Sequence, residues 1–455
     1  MISQPSRGLE LSTERLNHNI AELALPAVAE NLLVTVVYFS DTFLIGWLHN
    51  PSALAAVGLS GVFLNVAQAI FQAMAVSTTA MVAHLWGAKE ERRAAQVAAQ
   101  AASLSVLAAL LISGSIWLLA PVLFGLMGAG AETARLGVLY IRLVLLTSWA
   151  GYPASVLNGV MRGSGDTRTP MYITGMMNVW NVIAAAALIF GPGPLPALGI
   201  AGAGMATASA RLLSGCLALL VLTRGRSLLH VAPRQFLTWD GQIVRALLRL
   251  SLPNAAEAAA RQAGSLLFMR IVSALGTVAL AAHQIALSVE SLSFMPGVGM
   301  AAAGTTLVGQ SLGAGRSDLA EKSVRRVVSF AAAIMGLVGV IFALFGGPIA
   351  SVFGATPDVV GAAGMAVRIG ALEQIPLSAQ MTLGGCLRGA GDMKSPLYST
   401  LLGVVLFRVP VVYLFAIVFG WGLNGVWLGT AVDWLGRALV LAWLYRRGAW
   451  RKAHI

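Results

Sequence analysis

Along this chain, polar and ionic residues fall in short clusters, and between the clusters run apolar stretches of more than 20 residues. Twelve such stretches can be marked, at 25–48, 52–85, 94–123, 133–160, 170–191, 198–223, 246–275, 278–312, 324–347, 358–386, 396–419 and 422–445. A helix of about 20 apolar residues crosses a hydrocarbon layer about 30 Å thick. Runs of this length are too long for barrel strands, and lipid tolerates only helices or closed barrels. The predicted fold class is therefore an all-α integral membrane protein with twelve transmembrane helices.

Composition agrees, with 57% hydrophobic residues, 11% charged residues and a mean hydropathy of +0.79. The net charge of +12 raises the possibility of a nucleic-acid partner, but the basic residues do not gather on one face. They alternate from loop to loop: Lys89, Arg92 and Arg93 follow the second stretch, Arg162 and Arg168 the fourth, and Arg224, Arg226 and Arg234 the sixth. Arg316 and Lys322 follow the eighth, Arg388 and Lys394 the tenth, and Arg446, Arg447, Arg451 and Lys452 close the chain. The intervening loops lack Lys and Arg, apart from Arg135 near the outer end of the fourth stretch. The positive-inside rule then predicts a multi-pass protein of the inner (plasma) membrane with both termini cytoplasmic, the lipid bilayer as its partner and no nucleic acid. The opening segment MISQPSRGLELSTERLNHN has no signal-peptide core, so the first helix is expected to target the chain. Cys216 and Cys386 offer neither a disulfide framework nor a metal pattern and are expected to be packing residues.

The decapeptides MRGSGDTRTP at 161–170 and LRGAGDMKSP at 387–396 stand 226 positions apart, each on a predicted cytoplasmic turn. LPAVAE at 25–30 returns as LPNAAE at 252–257, and ALAA at 53–56 returns at 279–282. Six crossings separate each pair, and an even number preserves orientation. Two parallel six-helix repeats are expected, spanning 1–223 and 246–455 with a cytoplasmic linker at 224–245, and transporters of this kind hold substrate between their repeats.

These motifs, together with SDTFLIGWL in the first stretch and the TVALAAHQIAL and GTTLVGQSLGAGR runs of the eighth, resemble the multidrug and toxic compound extrusion (MATE) transporters. The superfamily also contains flippases for lipid-linked saccharides. The resemblance implies a V-shaped two-lobe fold and export of small organic cations by alternating access, with protons or sodium ions as the coupling species, no cofactor and a monomeric chain. It implies a transporter and not an enzyme, and the chain carries no HExxH, GxSxG or Walker-type motif. A flippase is the alternative and a polytopic membrane enzyme a remote one. A flippase would be expected to line its cavity with clustered arginines.

Ionic groups inside a membrane are costly, by roughly 3 kcal/mol at the centre of a helix on insertion scales, and each one asks for a function or a partner. Glu30 and Asp41 lie eleven residues apart, on nearly the same face of one helix and about 16 Å apart along its axis. Asp41 has no basic partner in its own helix, and the resemblance places a cation-binding aspartate there, with a sodium ion at Asp41 as the one possible metal. Asn178 and Asn181 in the fifth stretch could complete that site, although Ala185 stands where one branch of the family has a second aspartate. Glu257 is a further coupling candidate. The spacings predict intrahelical pairs of Glu257 with Arg261 and of Asp433 with Arg437. Glu290 and Glu373 have no such partner and fall near the midplane, which makes them, with His283 and Gln284, the expected contacts for a cationic substrate.

Overall fold

The computed structural model describes residues 9–191 and 196–452, with the side chains of 36–42 left out. Its described residues are helical throughout and form no strand. The first half holds α1 (Leu16–Gly46), α2 (Pro51–Gly87), α3 (Glu91–Leu126), α4 (Ala131–Leu145), α5 (Ser148–Ser164), α6 (Arg168–Phe190) and α7 (Ile200–Thr223). The second holds α8 (Gly241–Ser273), α9 (Thr277–Gly313), α10 (Ser317–Ser351), α11 (Pro357–Gly370), α12 (Gln374–Gly389), α13 (Lys394–Leu402), α14 (Val409–Tyr413) and α15 (Gly422–Arg446). Three of these spans are broken. The pair α4 and α5 bends by 56°, a 3-10 turn at Ala371–Glu373 joins α11 to α12, and π turns at Gly403–Arg408 and Leu414–Val418 flank α14. Pro410 accounts for the first π turn, because it offers no N–H to the carbonyl of Leu406.

Counting each broken span once leaves twelve, six per half, and every predicted stretch overlaps its observed helix. By length and hydropathy alone seven helices qualify as membrane crossings, or eight with α4 and α5 taken as one. Ionic residues keep others below that standard: α8 carries Arg245, Arg249, Glu257, Arg261 and Arg270.

The chain divides into two compact units, Ala29–Arg249 and Leu250–Ile455, the latter joined by Leu9–Val28. The start of α1 thus belongs with the second unit, where the sequence repeat had put it with the first. The reason is apolar packing: Leu16, Ile20, Leu23 and Ala24 share one buried cluster with Met300, Leu307, Val324 and Leu387. The second unit has another core, built on Phe268, Val289, Val367 and Trp427.

Candidate functional site

The duplicated decapeptide closes the same lock in each unit. In the first, Arg162 Nη1 donates to both oxygens of Glu30, at 3.0 Å each, and Asn158 Nδ2 approaches Oε1 at 3.5 Å. In the second, Arg388 Nη2 donates to both oxygens of Glu257 at 2.8 and 2.7 Å, and the Thr400 hydroxyl reaches the same carboxylate at 3.3 Å. Each lock ties the helix that opens its repeat to the helix that ends in the decapeptide. The corners beyond match as well. Asp166 accepts from the backbone N–H of Thr169 at 3.0 Å and from its hydroxyl at 2.7 Å, and Asp392 accepts from the N–H of Ser395 at 3.0 Å. Gly165 and Gly391 take φ of 99° and 87°, a region that favours glycine. Thr79 and Thr305 donate to the carbonyls of Gly159 and Gly385, both at 2.9 Å. A Cβ on either glycine would fall 2.6 Å from the Ala75 carbonyl oxygen or 2.5 Å from that of Ala301, so close helix contact requires glycine there.

Inside the first unit, α1, α2, α4, α5, α6 and α7 enclose a cavity of about 530 Å³. Its wall mixes aliphatic side chains such as Val34, Leu54 and Leu64 with the amides Asn65, Gln68, Gln72, Asn158 and Asn181. The ionic groups among its described lining residues are Glu30, Arg162 and Arg211. Gln68 Nε2 donates to the Ser155 hydroxyl at 3.0 Å, whereas the Oδ1 atoms of Asn158 and Asn181 are buried with no donor. Arg211 Nη1 is likewise buried with no hydrogen-bond partner, and the guanidinium carbon lies 5.2 Å from the Tyr152 ring centroid.

The second unit holds an ionic cluster. The carboxyls of Glu290 on α9 and Glu373 at the α11–α12 break meet each other, near Arg408. Glu290 Oε1 and both Glu373 oxygens have no donor. Asp433 on α15 accepts from Arg437 Nε at 2.7 Å, and Arg408 Nε stands 2.7 Å from its other oxygen, an ionic contact without hydrogen-bond alignment. His283 sits edge-on to Trp427 at 5.7 Å and beside Phe268 at 5.4 Å, with neither ring nitrogen hydrogen-bonded.

Asp433 and Arg437 pair as their spacing predicts. Arg261 does not dominate Glu257: it stands 3.9 Å away with its side chain 56% exposed, because Arg388 from the facing helix already fills the carboxylate. Glu290, Glu373 and His283 are sealed in the second unit, whereas Gln284, next in sequence to His283, is turned to the surface. Asn181 lines the first unit's cavity, while Asn178 Nδ2 donates to the Leu33 carbonyl at 2.6 Å and so ties α6 to α1. The side chain of Asp41 lies outside the described residues. Arg162, Arg388 and Arg211 were absent from the expected set. For the first two a signal existed, since the glutamate and the arginine of each lock recur together in both repeats.

A duplicated bundle of membrane helices with a polar chamber in its first half is the architecture of a polytopic transporter. The chain belongs to the MatE family, whose model matches residues 26–186 and 253–414, one segment per repeat. It is 30% identical to a probable multidrug resistance protein NorM of Thermotoga maritima over 442 residues, which cover 96% of this chain and 94% of the relative. It is 28% identical to the multidrug resistance protein PmpM of Pseudomonas aeruginosa, covering 98% and 94%. A crystal structure of MATE in the bent conformation superposes with a TM-score of 0.90 at 23% identity, covering 99% of both chains. Both relatives are named as multidrug resistance proteins, and this chain is a membrane transporter of the same family and not an enzyme.

Proposed function

We propose that the chain is a proton-coupled antiporter that exports organic compounds by alternating access, with substrate held in the first unit and the coupling charge carried in part by the second. The observation that carries this reading is the cluster inside the second unit that brings the buried Glu290 and Glu373 together with Asp433, Arg408 and Arg437. Two carboxylates buried side by side repel each other, so one of them is held more cheaply as the neutral acid. With three carboxyls and two arginines, the cluster of Glu290, Glu373, Asp433, Arg408 and Arg437 is electroneutral when it holds a single proton, the state a low-dielectric interior favours. The two arginines also make it a poor sodium site. The acids that suggested a cationic substrate are thus engaged with arginines or with each other, which supports a coupling role over direct substrate contact.

Asp41 is the coupling candidate of the first unit on sequence grounds, in a largely apolar helix that holds no basic partner for it within its own span. Glu30 and Glu257 serve as locks that hold each unit together. Among the described lining residues of the cavity the arginines are Arg162, which is locked to Glu30, and Arg211. That is not the cluster a pyrophosphate-binding flippase would need, and it supports drug export. The termini are assigned to the cytoplasm by their basic residues, and reporter fusions with an external C-terminus would reverse this.

The test is dye efflux from vesicles that contain the purified chain, with proton and sodium gradients imposed separately. A proton gradient alone should drive export. Export driven by sodium alone would overturn proton coupling, and no movement under either gradient would overturn export itself.

A further inference from the structure

We propose that Arg211 anchors the carboxylate of an amphipathic organic substrate inside the cavity of the first unit. The proposal rests on the export reading for the statement that the occupant is transported, and names the substrate class that the cavity selects.

Charge in the cavity leads to this assignment. Of the three ionic groups among its described lining residues, Glu30 and Arg162 neutralise each other through two hydrogen bonds of 3.0 Å. Among the described residues Arg211 has no acidic partner. Its Nη1 is buried and donates to nothing, and its guanidinium is held beside the Tyr152 ring. A cation within a membrane protein is expensive unless an anion, an aromatic face or water compensates it. The tyrosine contact compensates it only in part and fixes the guanidinium for an incoming group. The planar fork of arginine matches a carboxylate through two parallel hydrogen bonds, a geometry lysine does not offer.

The rest of the chamber sets the remainder of the molecule. About 530 Å³ suits a drug-sized compound. Val34, Leu54 and Leu64 provide an apolar surface for its body. A simple organic cation would meet the uncompensated positive charge of Arg211 and leave its donor unfilled. A molecule with a carboxylate at one end presents an acceptor to the guanidinium and lays its apolar body against the aliphatic wall.

The decisive comparison uses rhodamine B, which bears a free carboxylate, and its ethyl ester, in which only that group is blocked. Binding to the purified chain in lipid nanodiscs is read by fluorescence anisotropy, so the result does not depend on transport. Rhodamine B should bind at least about tenfold more tightly than the ester, the factor expected for a charge-assisted hydrogen bond. Arg211→Gln should erase this preference by weakening rhodamine B alone, and Arg211→Lys should restore part of it. Equal affinity of the wild-type chain for both dyes, or tighter binding of the ester, overturns the proposal and needs no variant to interpret. So does an Arg211→Gln chain that loses affinity for both dyes equally. A lipid headgroup phosphate could satisfy the same guanidinium, and mass spectrometry of co-purified lipid separates that source. One anionic lipid per chain, lost in Arg211→Gln, would assign Arg211 to lipid and also overturn the proposal. Failure of vesicle export while the dye preference persists would refute the export reading and leave the binding site standing.

Discussion

The two repeats share one lock and differ in what they keep behind it. The locks Glu30–Arg162 and Glu257–Arg388 are superposable in chemistry and nearly in spacing. Beyond them the second repeat carries a buried ionic cluster, and the first a cavity. The offset of 226 that joins the ALAA motifs sets Leu64 opposite Glu290 and Thr147 opposite Glu373. In the last helix, the register of GIAGAGMATA on GLNGVWLGTA sets Ala210 opposite Asp433 and Ser214 opposite Arg437. Leu64, Ala210 and Ser214 all line the cavity. The first repeat thus has small or apolar residues at the positions where the second builds its ionic cluster, and the space they vacate becomes a chamber. Both repeats keep one frame, and differences at a few positions separate a half with a cavity from a half with a buried ionic cluster.

The largest expected effect comes from breaking the locks. Arg388→Ala leaves the buried Glu257 with only the largely exposed Arg261 at 3.9 Å and the Thr400 hydroxyl, and should destabilise the second unit by roughly 3 kcal/mol. Arg162→Ala should cost less, because Glu30 is less deeply buried than Glu257. Thermal unfolding in detergent measures both, and equal losses would contradict the ranking. Replacement of Asp433 by Asn exposes two arginines to an uncharged partner. It should cost on the order of 3 kcal/mol, at the lower end for a broken buried pair because the amide still accepts a hydrogen bond.

The next effect sharpens the contrast between cluster and cavity. The double change Ala210→Asp with Ser214→Arg transplants the pair of the second unit into the first. It should fill the chamber and lower rhodamine B affinity at least about tenfold, as loss of the Arg211 contact would, with a cooperative unfolding transition retained. Unchanged affinity would show that the dye binds elsewhere. The smallest effect belongs to the close contacts. Gly385→Ala presses a methyl group on the Ala301 carbonyl and should cost about 1–3 kcal/mol, with a similar loss for Gly159→Ala.

Much of this organisation is legible in the sequence, for physical reasons that also mark where legibility ends. The helices announce themselves because a membrane demands long apolar runs. The Asp433–Arg437 pair is readable because both residues lie on one helix, where spacing fixes geometry. Glu290 and Glu373 stand out as unpaired acids, but they sit on different helices, and no spacing rule reveals that their carboxyls meet. The same holds for Arg162 and Arg388, which can be read as turn-anchoring charges until their glutamates are seen opposite them. The cavity is least legible of all. It depends on Ala210 and Ser214 being small, and in a single sequence small residues in a membrane helix read as ordinary packing. Arg211 is conspicuous only once the chamber around it is known.

Separation of the two roles is tested most directly by comparing binding with transport in one double variant, Glu290→Gln with Glu373→Gln. Rhodamine B affinity in nanodiscs and proton-driven export of the same dye from vesicles are measured on the same preparation. The expected result is affinity within about twofold of the wild-type chain, below what loss of one hydrogen bond to a charged group would cause, together with loss of proton-driven export. Loss of dye binding in the double variant, or export at the wild-type rate, would contradict a substrate site in the first unit coupled to a proton held in the second.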